Sequence, residues 1–204
     1  MGGYTLLDKD HVDKQFGRAT PGKIAMWMFL VTDAMSFSGL LLGYAVLRTT
    51  YGDVWPTPAD HLGIALSGAA TFLLICSSVS MVMCVDACRL QKRKAMLNWL
   101  LCTILGGVVF LGIQAYEYMH LVHNGLSLSE FIHGDNKFGA TFYMITGFHG
   151  LHVLSGVIYL IFEYKFTYEG RYDNGNYRNL EAVGLFWHFV DLVWILVFTF
   201  IYLL

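Results

Sequence analysis

An all-α integral membrane protein, built as a bundle of five transmembrane helices, is the fold class this sequence predicts. Three observations predict it. Of 204 residues, 56% are hydrophobic, 14% are charged and three are proline. Five stretches, Ile24–Leu47, Leu62–Val85, Ala95–Tyr116, Phe138–Phe162 and Ala182–Leu204, hold at most one Asp, Glu, Lys or Arg each. At ~1.5 Å per residue each is long enough to cross a hydrocarbon core of roughly 30 Å. The basic residues, finally, are concentrated in alternating connections.

The spans are expected at about 24–47, 62–88, 95–120, 138–163 and 181–204, with no room for an extramembrane domain. Residues 1–23 mix both charge signs and read as an N-terminal tail with little structure of its own. The Thr20-Pro21-Gly22 punctuation marks the start of the first helix, and the lack of a small-residue cleavage site makes that span a retained one. Within it, WMFLVTDAMSF places Asp33 about ten residues in, roughly 15 Å deep. A carboxylate at that depth costs on the order of 3 kcal/mol on insertion scales, so it must be hydrogen-bonded, neutralised or open to a buried cleft. Bonding to a neighbouring helix and a part in proton or oxygen access are both open to it. Gly39-Leu-Leu-Leu-Gly43 is a small-xxx-small face suited to close helix packing.

The second span is rich in Ser, Ala and Gly and reads as a packing helix without chemistry. A short basic loop at 89–94 makes it an antiparallel neighbour of the third span. That third span carries Gly106, Gly107 and Gly112, then Gln114 and Glu117 near the outer interface, where a structural role fits a carboxylate. The connection 121–137 contains His123 and His133, which read as solvated. In the fourth span His149 and His152, three apart near the middle, share a face; ionisable groups at such depth turn toward the bundle interior, a partner or a wet cleft. The tyrosines and arginines of the following loop suit a lipid headgroup interface. The fifth span repeats the polar pattern with His188 and Asp191, and sets Trp187 and Trp194 seven apart on one face.

Eleven Lys and Arg lie before the first span, between the second and third, and between the fourth and fifth; only Arg48 and Lys137 lie in the other connections. The positive-inside rule then puts the N-terminus in the cytoplasm and the C-terminus outside. Cys76, Cys84, Cys88 and Cys102 form no C-x-x-C pattern, so a disulfide framework, a zinc knuckle and covalent haem attachment lack support, and small-residue packing accounts for them. No phosphate loop, nucleophile triad or nucleic-acid patch is present.

Glu117-x-x-His120, His149-x-x-His152 and His188-x-x-Asp191 have the one-face spacing of helical-bundle iron sites. Depth argues against a metal. Asp33, His152 and Asp191 fall near the midplane, whereas Glu117 and His120 lie at the outer edge, more than ~10 Å away by helical rise. A hydrogen-bonded network holding helices together fits better, since such pairs contribute on the order of 1 kcal/mol to helix association.

Taken together, WMFLVTDAMSF at 27–37, QAYEY at 114–118, FYMITGFHGLHVLSG at 142–156 and EAVGLFWHFVDLVWILVFTFIYLL at 181–204 make the chain resemble subunit III of the haem-copper terminal oxidases, from Trp27 to the end. It resembles the five-span bacterial form, lacking the first two spans of longer members, and has Asp33 where many members carry a carbodiimide-reactive Glu. The resemblance implies an accessory, non-redox subunit in the bacterial cytoplasmic membrane. It would bind no cofactor itself; haem and copper would belong to partner subunits. It would pack on the catalytic subunit I and other oxidase subunits, hold phospholipid, and support proton uptake and complex stability. A larger respiratory supercomplex is among the partners it allows, and nucleic acid is not. On this footing Asp33 belongs to a lipid and proton cleft, while Gln114, Glu117, His149, His152, His188 and Asp191 brace the bundle. Two alternatives stay open: the five-span relative associated with nitric oxide reductase, and an unrelated proton-coupled carrier using Asp33, His152 and Asp191 as a relay.

Overall fold

A computed structural model describes residues 21–52, 55, 63–123, 137–173 and 178–204. Within them the chain forms five long helices: α1 (Pro21–Thr50), α2 (Ile64–Arg89), α3 (Arg93–His123), α4 (Lys137–Tyr168) and α5 (Arg178–Phe198), the last continuing into a π-helical turn, Thr199–Leu203. All five are long and apolar enough to cross a membrane, and no strand occurs among the described residues. Residues 21–23, assigned by sequence to the tail, form the first turn of α1, because proline suits the opening position of a helix, where its missing N–H would be unpaired anyway. His123 is helical, since α3 runs on past its apolar core. The rest of the tail and His133 lie outside the described residues.

The bundle is organised on α5. Half of its most apolar 18-residue stretch is buried, whereas only 17% of the corresponding stretch of α1 is. Trp187 and Trp194, seven apart on one face, are almost completely enclosed, so that face turns inward. Two adjacent glycines of α3 make room for this packing. A Cβ on Gly107 would stand 2.6 Å from Cη2 of Trp187, and one on Gly106 would stand 2.6 Å from Cβ of Ser77 on α2. Gly39 and Gly43, by contrast, meet nothing within 4 Å. The small-residue face of α1 is therefore not used for packing among the described residues.

The second span does more than pack. Its hydroxyls satisfy buried donors that an apolar helix would strand: the indole N–H of Trp187 donates to Ser77 (3.2 Å) and that of Trp194 to Thr71 (2.9 Å). Ser80 and Thr103 pair at 2.7 Å across α2 and α3. A buried indole N–H without an acceptor would cost about 1–3 kcal/mol, so these contacts set the register of α2 against α5.

The connections are tight. Gln91 adopts a left-handed conformation (φ 54°), and Lys92 N–H donates to the Ala87 carbonyl (2.9 Å) while Gln91 N–H donates to that of Cys88 (3.0 Å), a Schellman closure joining α2 to α3. After α4, Gly170 (φ 83°) turns the chain where any Cβ would lie 2.8 Å from Asp173 Oδ2. Lys23 and Arg89 reach Glu181 at 3.1 and 3.8 Å, and Arg93 reaches Asp173 at 3.6 Å. The basic ends of the helices thus gather at one end of the bundle, as their alternation along the sequence requires.

Candidate functional site

The polar side chains of the spans form three clusters at different depths. Asp33, 7% exposed on α1, lies with Oδ1 3.2 Å from Nε2 of His152 on α4. The other ring nitrogen, Nδ1, is 2.8 Å from the Phe148 carbonyl, which can only accept, so Nδ1 carries a hydrogen. Nε2 and Oδ1 consequently meet over a single proton, as a neutral acid donating to imidazole or as an ion pair. Phe37 and Phe148 pack against the His152 ring with centroids at 5.3 and 4.6 Å, shielding one side of the pair. Oδ2 of Asp33 has no hydrogen-bond partner among the described residues.

One turn away on α4, His149 is treated differently. It is buried, and neither ring nitrogen has a hydrogen-bond partner among the described residues. Its ring stacks on Trp194 at 4.9 Å and meets Phe110 edge-on at 5.9 Å. Grouped by sequence with the polar network, it is held by aromatic packing instead, because it sits among the rings of Phe37 on α1, Phe110 on α3 and Trp194 on α5.

The second cluster joins α2 to α5. Ser78 Oγ lies 2.6 Å from His188 Nδ1, and the same hydroxyl faces the Asp191 carboxylate. A hydroxyl has one proton to give. If it goes to the carboxylate, Nδ1 of His188 must itself be the donor to Oγ. The i, i+3 spacing that pointed to one face thus places both groups on one serine, which the sequence reading passed over.

The third cluster lies toward the opposite end from the basic loops. Glu117 accepts hydrogen bonds from Ser67 (2.9 Å), Tyr202 (2.9 Å) and the Gly63 backbone N–H, with Gln114 Nε2 at 3.5 Å. Tyr202 reaches the carboxylate because the last turn widens to π geometry, its Leu204 N–H donating to Thr199 O (3.1 Å). Three elements converge on one acid. That convergence was not legible, since nothing in the local sequence signals a π turn.

A further buried acid was missed. Glu163, just beyond the apolar run that ended at Phe162, is enclosed and accepts a hydrogen bond from Tyr172, which folds back from the turn after α4. Burial, and after it the hydrogen bond to Glu163, raises the Tyr172 phenol well above the ordinary tyrosine range. No group of three or more His, Cys, Asp or Glu able to hold a metal occurs among the described residues.

Comparison with known proteins gives this arrangement a context. Residues 15–204 match the profile described as Cytochrome c oxidase subunit III. A Nocardia farcinica protein named "Probable cytochrome c oxidase subunit 3" is 35% identical over 175 residues, covering 86% of this chain and 84% of the relative. A Synechocystis "Cytochrome c oxidase subunit 3" is 35% identical over 87% of this chain and 73% of its own length. A Staphylococcus saprophyticus "Probable quinol oxidase subunit 3" is 30% identical over 97% of this chain and 96% of its own.

Proposed function

The chain belongs to the cytochrome c oxidase subunit III family, and from that premise we propose how it serves its complex. It is an accessory subunit of a respiratory haem-copper oxidase, associated with other oxidase subunits, and a multi-pass protein of the bacterial inner membrane. Our reading is that it packs on the catalytic subunit I, holds phospholipid at its flank and supports proton uptake, while haem and copper reside in partner chains. The N-terminus would be cytoplasmic and the C-terminus external.

The observation that carries this reading is how the buried polar groups are used. Ser78 binds His188 beside Asp191, Glu117 gathers Ser67, Gln114 and Tyr202, and His152 holds Asp33. Side chains committed to one another across helix pairs brace a bundle; catalytic side chains are kept open toward a substrate. We assign His152, His188, Asp191, Gln114 and Glu117 to bracing, and His149 to packing. Asp33 and Asp191 each keep one oxygen without a partner among the described residues, and we assign Asp33 to the lipid and proton cleft.

A mild-detergent pull-down of the tagged chain, with an absorption spectrum and mass spectrometry of what accompanies it, tests the proposal. Stoichiometric haem together with a large oxidase subunit is the expected result, and the haem type begins to separate a cytochrome c oxidase from a quinol oxidase. A colourless chain purifying alone would overturn it in favour of a carrier, and iron on the isolated chain would favour a metal centre.

A further inference from the structure

A groove of about 360 Å³ lies between α2 and α5, its lining running from Arg89 and Glu181, beside the basic connections, to His188. Asp86, Arg89 and Glu181 line the end nearest those connections, which is taken as its mouth; exposed Val82 and Met83 on α2 and Leu185 on α5 line its flanks, and His188 lies farthest along α5 from that end. Glu181 is already bound by Lys23 and Arg89, so the mouth carries nearly balanced charge rather than a field of one sign. His188 uses Nδ1 on Ser78, which leaves Nε2 for the groove. Behind it, Asp191 retains one oxygen without a hydrogen-bond partner among the described residues.

We propose that this groove is a water-filled crevice, open on the basic face of the membrane, that brings bulk protons to the His188–Ser78–Asp191 cluster. Three features favour water over an acyl chain. The volume has room for on the order of ten waters at ~30 Å³ each, and water needs two to four polar partners, which the mouth and His188 supply at either end. An acyl chain lying on His188 would leave Nε2 buried without a partner. Polar side chains at membrane depth face a bundle interior or a wet cavity, and His188 and Ser78 are only half-buried, on the outer side of their helices. The inference goes beyond the accessory role and does not depend on which oxidase the complex is.

The test is thiol accessibility in sealed vesicles carrying the whole complex. Leu185→Cys is compared with Ile158→Cys, an exposed position of α4 at matching depth, since Gly156 one half-turn away packs beside Trp187 and Phe186. A membrane-impermeant methanethiosulfonate applied to the basic face is expected to label residue 185 at least ten times faster than residue 158, read by mass spectrometry of the two peptides. Equal rates, or fast labelling only after detergent removes lipid, would overturn the crevice. Should Leu185→Cys not assemble, Val82→Cys on the facing wall replaces it under the same comparison. Infrared spectra in D2O supply an independent readout: the His188 ring N–H signal, identified by its loss in His188→Gln, should exchange within seconds, and exchange over hours would refute proton access.

Discussion

Asp33 Oδ1 and His152 Nε2, 3.2 Å apart, join α1 to α4 through a single shared proton, because the other nitrogen of the ring is committed to the Phe148 carbonyl. Substitution can tell which way that proton is held. The side-chain amide introduced by Asp33→Asn would offer an N–H to Nε2 and keep a neutral pair intact, whereas Asp33→Ala leaves Nε2 without a partner, at a cost of about 1–3 kcal/mol. A neutral pair therefore predicts that Asp33→Asn assembles near normally and Asp33→Ala poorly, measured as the fraction of chain recovered with the complex and its melting temperature. Equal damage from both would show that the pair is ionised.

His149 and His188 should respond oppositely to phenylalanine. Replacing a polar group that has no hydrogen bond by an apolar one of similar shape is nearly neutral or stabilising, so His149→Phe, packed on Trp194, should change stability by less than ~1 kcal/mol. His188→Phe strips Ser78 of its partner and should cost about 1–3 kcal/mol. Thermal melting of the two variants side by side decides it.

Glycines of α3 and α1 make a second contrast. Gly107→Ala forces a methyl within 2.6 Å of Trp187 and 2.7 Å of Val157, an overpacking that costs about 1–3 kcal/mol, and Trp187→Phe should partly restore the double variant. Gly39→Ala meets nothing among the described residues. It should leave the isolated chain as stable as the parent; any loss confined to assembly would reveal a partner seated on α1.

The Tyr172 phenol gives an alkaline signature. Its folded value is raised by burial and by Glu163, so its contribution is complete below the ordinary tyrosine value of about 10 and is lost as pH climbs from there toward the folded value. Stability of the parent should fall more steeply above about pH 10 than that of Tyr172→Phe, which has no phenol to ionise. Parallel alkaline melting curves would contradict the assignment.

The parts of this architecture that were legible obey long-range regularities. Five apolar runs gave five helices, and the seven-residue spacing put Trp187 and Trp194 on one face of α5, which proved to be the buried one. The partners of the buried groups were harder to read. Ser67, Thr71 and Ser78 recur at spacings of four and seven on α2, with Ser77 beside them, a signal that was available, yet a search for small packing residues treats serine like alanine. Tyr202 and Tyr172 could not be foreseen, because one depends on a π turn and the other on a loop folding back, and neither leaves a local trace. His149 shows the reverse error: its spacing from His152 was real, but a shared face spans enough arc for one ring to meet a carboxylate and the other an indole.

The position of α1 has a consequence for biogenesis. Its principal contacts are with α4 and α5, and the partner of Asp33 lies on α4. At ~5–20 residues per second, roughly 6–24 s of synthesis separate the emergence of Asp33 from that of His152. Through that interval a carboxyl group waits at mid-membrane with its future partner not yet made. An insertase or another subunit that shelters α1 during this window would govern yield, and slowing translation between residues 52 and 137 should lower it without altering the stability of the chains that mature.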